Sequence, residues 1–207
     1  MAHTPENSRP PRTAAPHSTA GPPDADRKGR KPRGRAAIAI VLGVLLSVVL
    51  AMINGLQLAS LERALNGLGM PDTQLGGYDA GYVESVQAGM TDELYERYGA
   101  SHYLWDMLFP LVFAATLVLL ILRVTRGRKV ALLLLIVPVL YAAVDIAENL
   151  TLEAVFASGT IDSGTVALAS TLTVLKTVLF IASVVAALLA LLVRPKGSDA
   201  VGGRSAG

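Results

Sequence analysis

The 207-residue sequence contains no cysteine, which excludes a disulfide framework, a thiolate metal site and a cysteine nucleophile and leaves the redox compartment open. Charge is scarce as well. Asp, Glu, Lys and Arg make up 16% of the chain against 52% hydrophobic residues, and mean hydropathy is +0.50, which takes the protein out of the ordinary soluble class and into the membrane class. No internal repeat or long heptad pattern is present, and there is no HExxH or GxSxG element. The pairs Gly76-Gly77 and Gly164-Thr165 form no nucleotide-binding fingerprint, so no cofactor is expected.

Four long apolar runs dominate what remains, at residues 36–60, 103–122, 130–152 and 166–193. Each is near or above the ~20 residues that a helix rising ~1.5 Å per residue needs to cross ~30 Å of hydrocarbon. Lipid requires every backbone group to be satisfied within its own segment, and the runs are too continuous for alternating barrel strands, so helices are the form they must take. The first run is also too long for a signal-peptide core and follows a long polar leader, which makes it a retained span. The expected fold is all-α: a four-helix transmembrane bundle over residues 36–194 with a disordered N-terminal tail (1–35), an external loop (61–102) containing a short amphipathic helix, and a short cytoplasmic tail (195–207).

Orientation follows from the basic residues in the connections. The segment 27–35 is basic, the link after the second run carries Arg123, Arg126, Arg128 and Lys129, and Arg194 and Lys196 follow the fourth. The loop 61–102 carries seven acids against Arg63 and Arg97, and residues 159–165 hold no Lys or Arg. Both termini are therefore expected to be cytoplasmic in a cell-membrane protein. A basic segment directly before a span suits anionic headgroups of the bilayer better than nucleic acid, which is disfavoured as a partner. The composition is equally compatible with a homo- or hetero-oligomer.

Within the loop, residues 66–77 read as turns, while Val83, Val86, Met90, Leu94 and Tyr98 recur at three- and four-residue steps with acids between them. Thr91 is placed to cap a short helix ending near Gly99, closing the mouth of the bundle or gating it.

The third run carries Asp145, Glu148 and Asn149 in an otherwise apolar setting. With Tyr141 they follow an i, i+4, i+7, i+8 pattern and share one helical face. Measured from a span centre at Tyr141, Asp145 lies about 6 Å toward the outside, and Glu148 and Asn149 about 10 to 12 Å. Asp106 on the second run, Lys176 on the fourth and Asn54 on the first reach similar outer depths, so all four helices place polar groups in one slab. Ionisable groups there are expensive unless paired, which suggests Lys176 with Asp145, and Asp106 near Glu148 or Asn149. Gly43, Ser47 and Asn54 form one stripe and Thr173, Lys176, Phe180 and Ser183 another. Pro110 frees the carbonyl of Asp106 within the slab, and Pro138 that of Leu134. Asn149-Leu150-Thr151 matches the glycosylation pattern, but its depth within a span argues against use.

At Asp106-Met107-Leu108-Phe109-Pro110 and Asp145-Ile146-Ala147-Glu148-Asn149 the chain resembles small bacterial four-span integral membrane proteins that pair an acidic motif opening the second helix with Asp-x-x-Glu-Asn in the third. That resemblance implies a shared bundle over residues 82–155 and brings no activity with it. The polar cluster of Asn54, Asp106, Tyr141, Asp145, Glu148, Asn149 and Lys176 then admits several readings. In order of support these are a packing or partner-binding network that fixes helix register, a small transporter or proton- or ion-coupled component, and a membrane-embedded enzyme acting on lipid or lipid-linked substrate. A metal site built from His102, Asp106 and Glu148 is the weakest, because one histidine and scattered carboxylates match no metal-binding spacing.

Overall fold

The structure, a computed structural model, describes Met1 and residues 32–125 and 128–192. The tail expected over residues 1–35 lies outside them save for Met1 and Pro32–Arg35, as does the C-terminal tail. The described chain is all-helical, with no strand. Helix α1 is Pro32–Ala64, α2 Ala80–Gly89, α3 Asp92–Ser101, α4 Met107–Val124, α5 Arg128–Ala157 and α6 Ser163–Leu192. A 3₁₀ turn, Pro71–Thr73, sits in the long loop, and a π turn, His102–Asp106, joins α3 to α4. Four helical stretches are long and apolar enough to cross a membrane: Gly34–Ala64, Asp92–Val124, Lys129–Ala157 and Ser163–Leu192. At ~1.5 Å per residue all four exceed ~30 Å of hydrocarbon, so they extend past the apolar runs that nucleate them.

Pro32 opens α1, where its missing N–H costs nothing. The helix ends in a Schellman motif: Asn66 N–H donates to the Arg63 carbonyl at 3.3 Å and Gly67 N–H to the Glu62 carbonyl at 2.8 Å. Both turn residues are left-handed, with φ of 57° and 90°, a conformation Asn and Gly tolerate best. Asp79 accepts from the Tyr82 amide at 2.8 Å to start α2, and Asp162 accepts from the Thr165 amide and hydroxyl, each at 2.7 Å, to start α6. Those Thr165 hydrogen bonds hold the Asp162 carboxyl below the ordinary range for aspartate.

The amphipathic segment of the loop is divided at Met90, which leaves the helix with extended backbone (φ −79°, ψ 125°). Two short helices result. Thr91 Oγ1 accepts from the Leu94 amide at 3.4 Å, so the second helix begins at its expected cap. Helix α3 ends at Ser101, close to the expected stop at Gly99, but the chain stays helical through the π turn into α4, and Gly99 does not take the positive φ of a helix-ending glycine.

Short connections make α4, α5 and α6 antiparallel neighbours. Helix α5 packs along both α4 and α6, whereas α1 packs along α4 and makes no comparable contact with α5 or α6. Close approach of α1 and α4 depends on Gly43, where a Cβ would overlap Thr116 Oγ1 and lie 3.1 Å from Thr116 Cγ2. Away from these seams, Leu42, Met52, Leu133, Ile136, Val178 and Ile181 are exposed, as expected of surfaces that face lipid.

The loop folds back as a cap with a core of its own. Leu61 and Leu65 from the end of α1 cluster with Met70, Val86, Leu94 and Tyr98, and Phe156 of α5 packs against them. Val83 reaches Val155 and Val166 in a second cluster. Three contacts pin the cap's inner edge: Tyr82 hydroxyl donates to the Gly69 carbonyl at 2.8 Å, Thr73 hydroxyl to the Met70 carbonyl at 2.6 Å, and Tyr78 N–H to Ser170 Oγ on α6 at 2.8 Å. The last requires the backbone to pass so close that a Cβ on Gly77, itself at φ 85°, would lie 2.8 Å from Ser170 Oγ.

Candidate functional site

Helix α5 supplies the largest share of the site. Tyr141, Asp145, Glu148 and Asn149 are all buried, and Glu148 is completely so. A charge in such a place must be met by partners, and α6 provides them. Lys176 Nζ lies 2.5 Å from Glu148 Oε2 and 3.6 Å from Asp145 Oδ1, and Thr173 hydroxyl donates to Glu148 Oε1 at 2.6 Å. Lys176 therefore bridges both acids, with Glu148 the nearer. The pairing of Lys176 with Asp145, expected from their shared depth, is present, and the structure adds Glu148 as the nearer partner.

Asp106 stands at the junction of the π turn and α4. Its carboxylate accepts from Asn54 Nδ2 on α1, and its backbone carbonyl, which the absent N–H of Pro110 cannot use, accepts from Asn149 Nδ2 at 3.3 Å. The proline thus leaves an acceptor where a buried amide can reach it. Asp106, placed near Glu148 or Asn149 by depth alone, meets Asn149 through this carbonyl. The polar slab consequently has two linked halves, Asn54–Asp106–Asn149 and Asp145–Lys176–Glu148–Thr173.

Between them lies a half-enclosed cavity of about 270 Å³. Asn54, Asp106, Tyr141, Asp145, Asn149 and Lys176 all line it, whereas Glu148 does not. Six of the seven residues singled out in the sequence thus face one space, and the seventh stands behind Lys176 as its buried counter-charge.

Two groups of lining residues lie outside the polar cluster expected from the sequence. Asp72 and Leu75 descend from the loop over the mouth, with Pro71 and Asp72 buried in the 3₁₀ turn. Asp72 carried no signal beyond its charge, since only the closure of the cap brings it to the bundle. Phe109 and Phe180 form the other group and join Tyr141 and Phe113 in an aromatic cluster, with Tyr141 and Phe180 centroids 5.7 Å apart and Phe113 and Phe180 5.0 Å. The i, i+4 spacing of Phe109 and Phe113 was the available sign of it. Beside the cap, burial pushes the Tyr78 hydroxyl up to about 12, so it stays a neutral phenol.

The arrangement has clear chemical leanings. Lys176 is the one basic side chain among the described residues lining the cavity, against Asp72, Asp106 and Asp145. No group of three His, Cys, Asp or Glu side chains converges closely enough to hold a metal ion among the described residues, and the His102 side chain lies outside them. Searches against protein-family models, curated proteins and solved structures find no match, so the chemistry of this site rests on its own residues.

Proposed function

We propose that this multi-pass membrane protein binds a cationic ligand in the acid-lined cavity and serves as a small transporter or an ion-coupled component of one. The observation that carries this reading is the cavity itself. A network needed only to fix helix register is best served by a filled interior, because space left among buried polar groups forfeits contacts and leaves groups to be satisfied by something else. Here about 270 Å³, room for about nine waters at liquid density, lies among three carboxylates. With three acids against the one base Lys176 in its lining, such a space in the low dielectric of a membrane favours added positive charge.

In the same proposal both termini are cytoplasmic, as the basic connections require, and the capped end with the cavity faces outward. The basic segment 27–35 then lies against anionic headgroups of the inner leaflet. The binding reading is tested by titrating the purified chain in detergent micelles with monovalent cations while following Trp105, the only tryptophan and the residue next to Asp106. Saturable changes that disappear in the Asp145→Asn variant support it. A chain that responds to no cation, inorganic or organic, refutes it.

A further inference from the structure

The cavity is layered. On each of three helices a polar lining residue is followed, one turn deeper into the membrane, by an aromatic one. Helix α4 runs away from the cap, so Phe109 lies three residues below Asp106. Helix α5 runs toward the cap, so Tyr141 lies four residues below Asp145. Helix α6 runs away again, and Phe180 lies four residues below Lys176. The aromatic floor is continuous, since Phe180 contacts Phe109 at 6.5 Å and Tyr141 at 5.7 Å between centroids. Carboxylates, with the Lys176 ammonium and the Asn149 amide between them, thus occupy the layer nearest the cap, and aromatic rings the layer about one helical pitch, 5.4 Å, beneath it.

A further feature asks for a donor. Asn54 lines the cavity, and its buried Oδ1 has no hydrogen-bond partner, although its amide nitrogen serves Asp106. A buried acceptor left this way costs about 1–3 kcal/mol, which a ligand N–H would recover.

Resting on the cation-binding reading above, we infer that the ligand is a small amphiphilic amine. Its ammonium sits among Asp72, Asp106, Asp145 and Asn54, and its apolar body lies on Phe109, Tyr141 and Phe180. The volume, just below the usual range for small-molecule sites, suits a single ring on a short linker. A two-carbon linker spans the distance between the layers, and a cation held near ring faces adds to the attraction.

The test compares four probes on the full chain in micelles, read by Trp105 fluorescence: phenethylammonium, methylammonium, 2-phenylethanol and potassium ion. Phenethylammonium is expected to bind saturably and roughly tenfold tighter than methylammonium, with 2-phenylethanol showing no saturable binding at the same concentrations. Phe180→Leu should remove most of the preference for the ring, so that the ratio of phenethylammonium to methylammonium affinity falls toward one. Asp72→Asn, in the loop and outside the spans, should weaken both amines. Equal affinity for the two amines, or binding of 2-phenylethanol as tight as that of phenethylammonium, overturns the ligand class while leaving cation binding itself standing. Silence toward every cation sinks both. The wild-type probe series decides the matter even if a variant fails to fold.

Discussion

Replacing Lys176 by Met removes the ammonium that lies 2.5 Å from Glu148 and 3.6 Å from Asp145, and leaves a fully buried carboxylate with Thr173 as its remaining hydrogen-bond partner among the contacts described. Breaking a buried pair from one side costs about 3–5 kcal/mol, and the lower end applies here because the Lys176 side chain keeps 18% of its surface exposed. The double-mutant cycle is more informative than the single loss. At an effective dielectric near 20 the gross attraction falls by roughly a third between the two distances, and only Glu148 adds a charge-assisted hydrogen bond of about 1.5–3 kcal/mol. Coupling of Lys176 to Glu148, measured with Glu148→Gln, should therefore exceed its coupling to Asp145, measured with Asp145→Asn, by at least about 1.5 kcal/mol. Unfolding in mixed micelles with increasing denaturing detergent, followed at Trp105, provides the free energies. Equal couplings, or a larger one for Asp145, would show that the axial placement of α6 against α5 is wrong.

Other outcomes can be checked on the same preparation. Gly43→Ala should cost about 1–3 kcal/mol through overpacking against Thr116, and the added Thr116→Ala change should recover most of it; additive losses would mean that α1 and α4 do not meet there. Asn149→Leu, which leaves the Asp106 carbonyl without its amide donor, should destabilise by about 1–3 kcal/mol. The loss should shrink in a Pro110→Ala background, where the restored N–H can take that carbonyl. Because the chain has no cysteine, single replacements at Asp79 and Gly127 report orientation directly: an impermeant thiol reagent added to intact cells should label the first and spare the second, and the reverse pattern would invert the topology.

The four spans and the polar slab were legible because both depend on local rules, the length of an apolar run and the repeat of a helix. Asp145, Glu148 and Asn149 announced themselves by standing in lipid-like sequence, and depth alone aligned them with Asn54, Asp106 and Lys176. What remained hidden depended on how elements slide and close. Asp145 and Glu148 share a face and differ by ~4.5 Å in height, so the choice of partner for Lys176 turns on an offset between helices that no single helix encodes. Asp72 is one acid among seven in the loop until Pro71 and Met70 bury and carry it to the mouth. The break at Met90 was hidden for a related reason: the apolar steps from Val86 to Tyr98 continue across it, because both short helices turn that face to the same core.

The π turn between α3 and α4 makes this protein sensitive to length as well as to composition. An α-helix advances about 100° and ~1.5 Å per residue, so the wider turn at His102–Asp106 accommodates a residue that a regular helix would have no place for. Deleting one residue there would allow an uninterrupted helix from Asp92 to Val124, and would swing α3 by about 100° relative to α4. Leu94 and Tyr98 would leave the core built on Leu61, and the cap would lose its seat while the spans stayed intact. Apolar substitutions on the lipid-facing surfaces leave the helix seams untouched, but a single-residue deletion in this turn has nothing to absorb it.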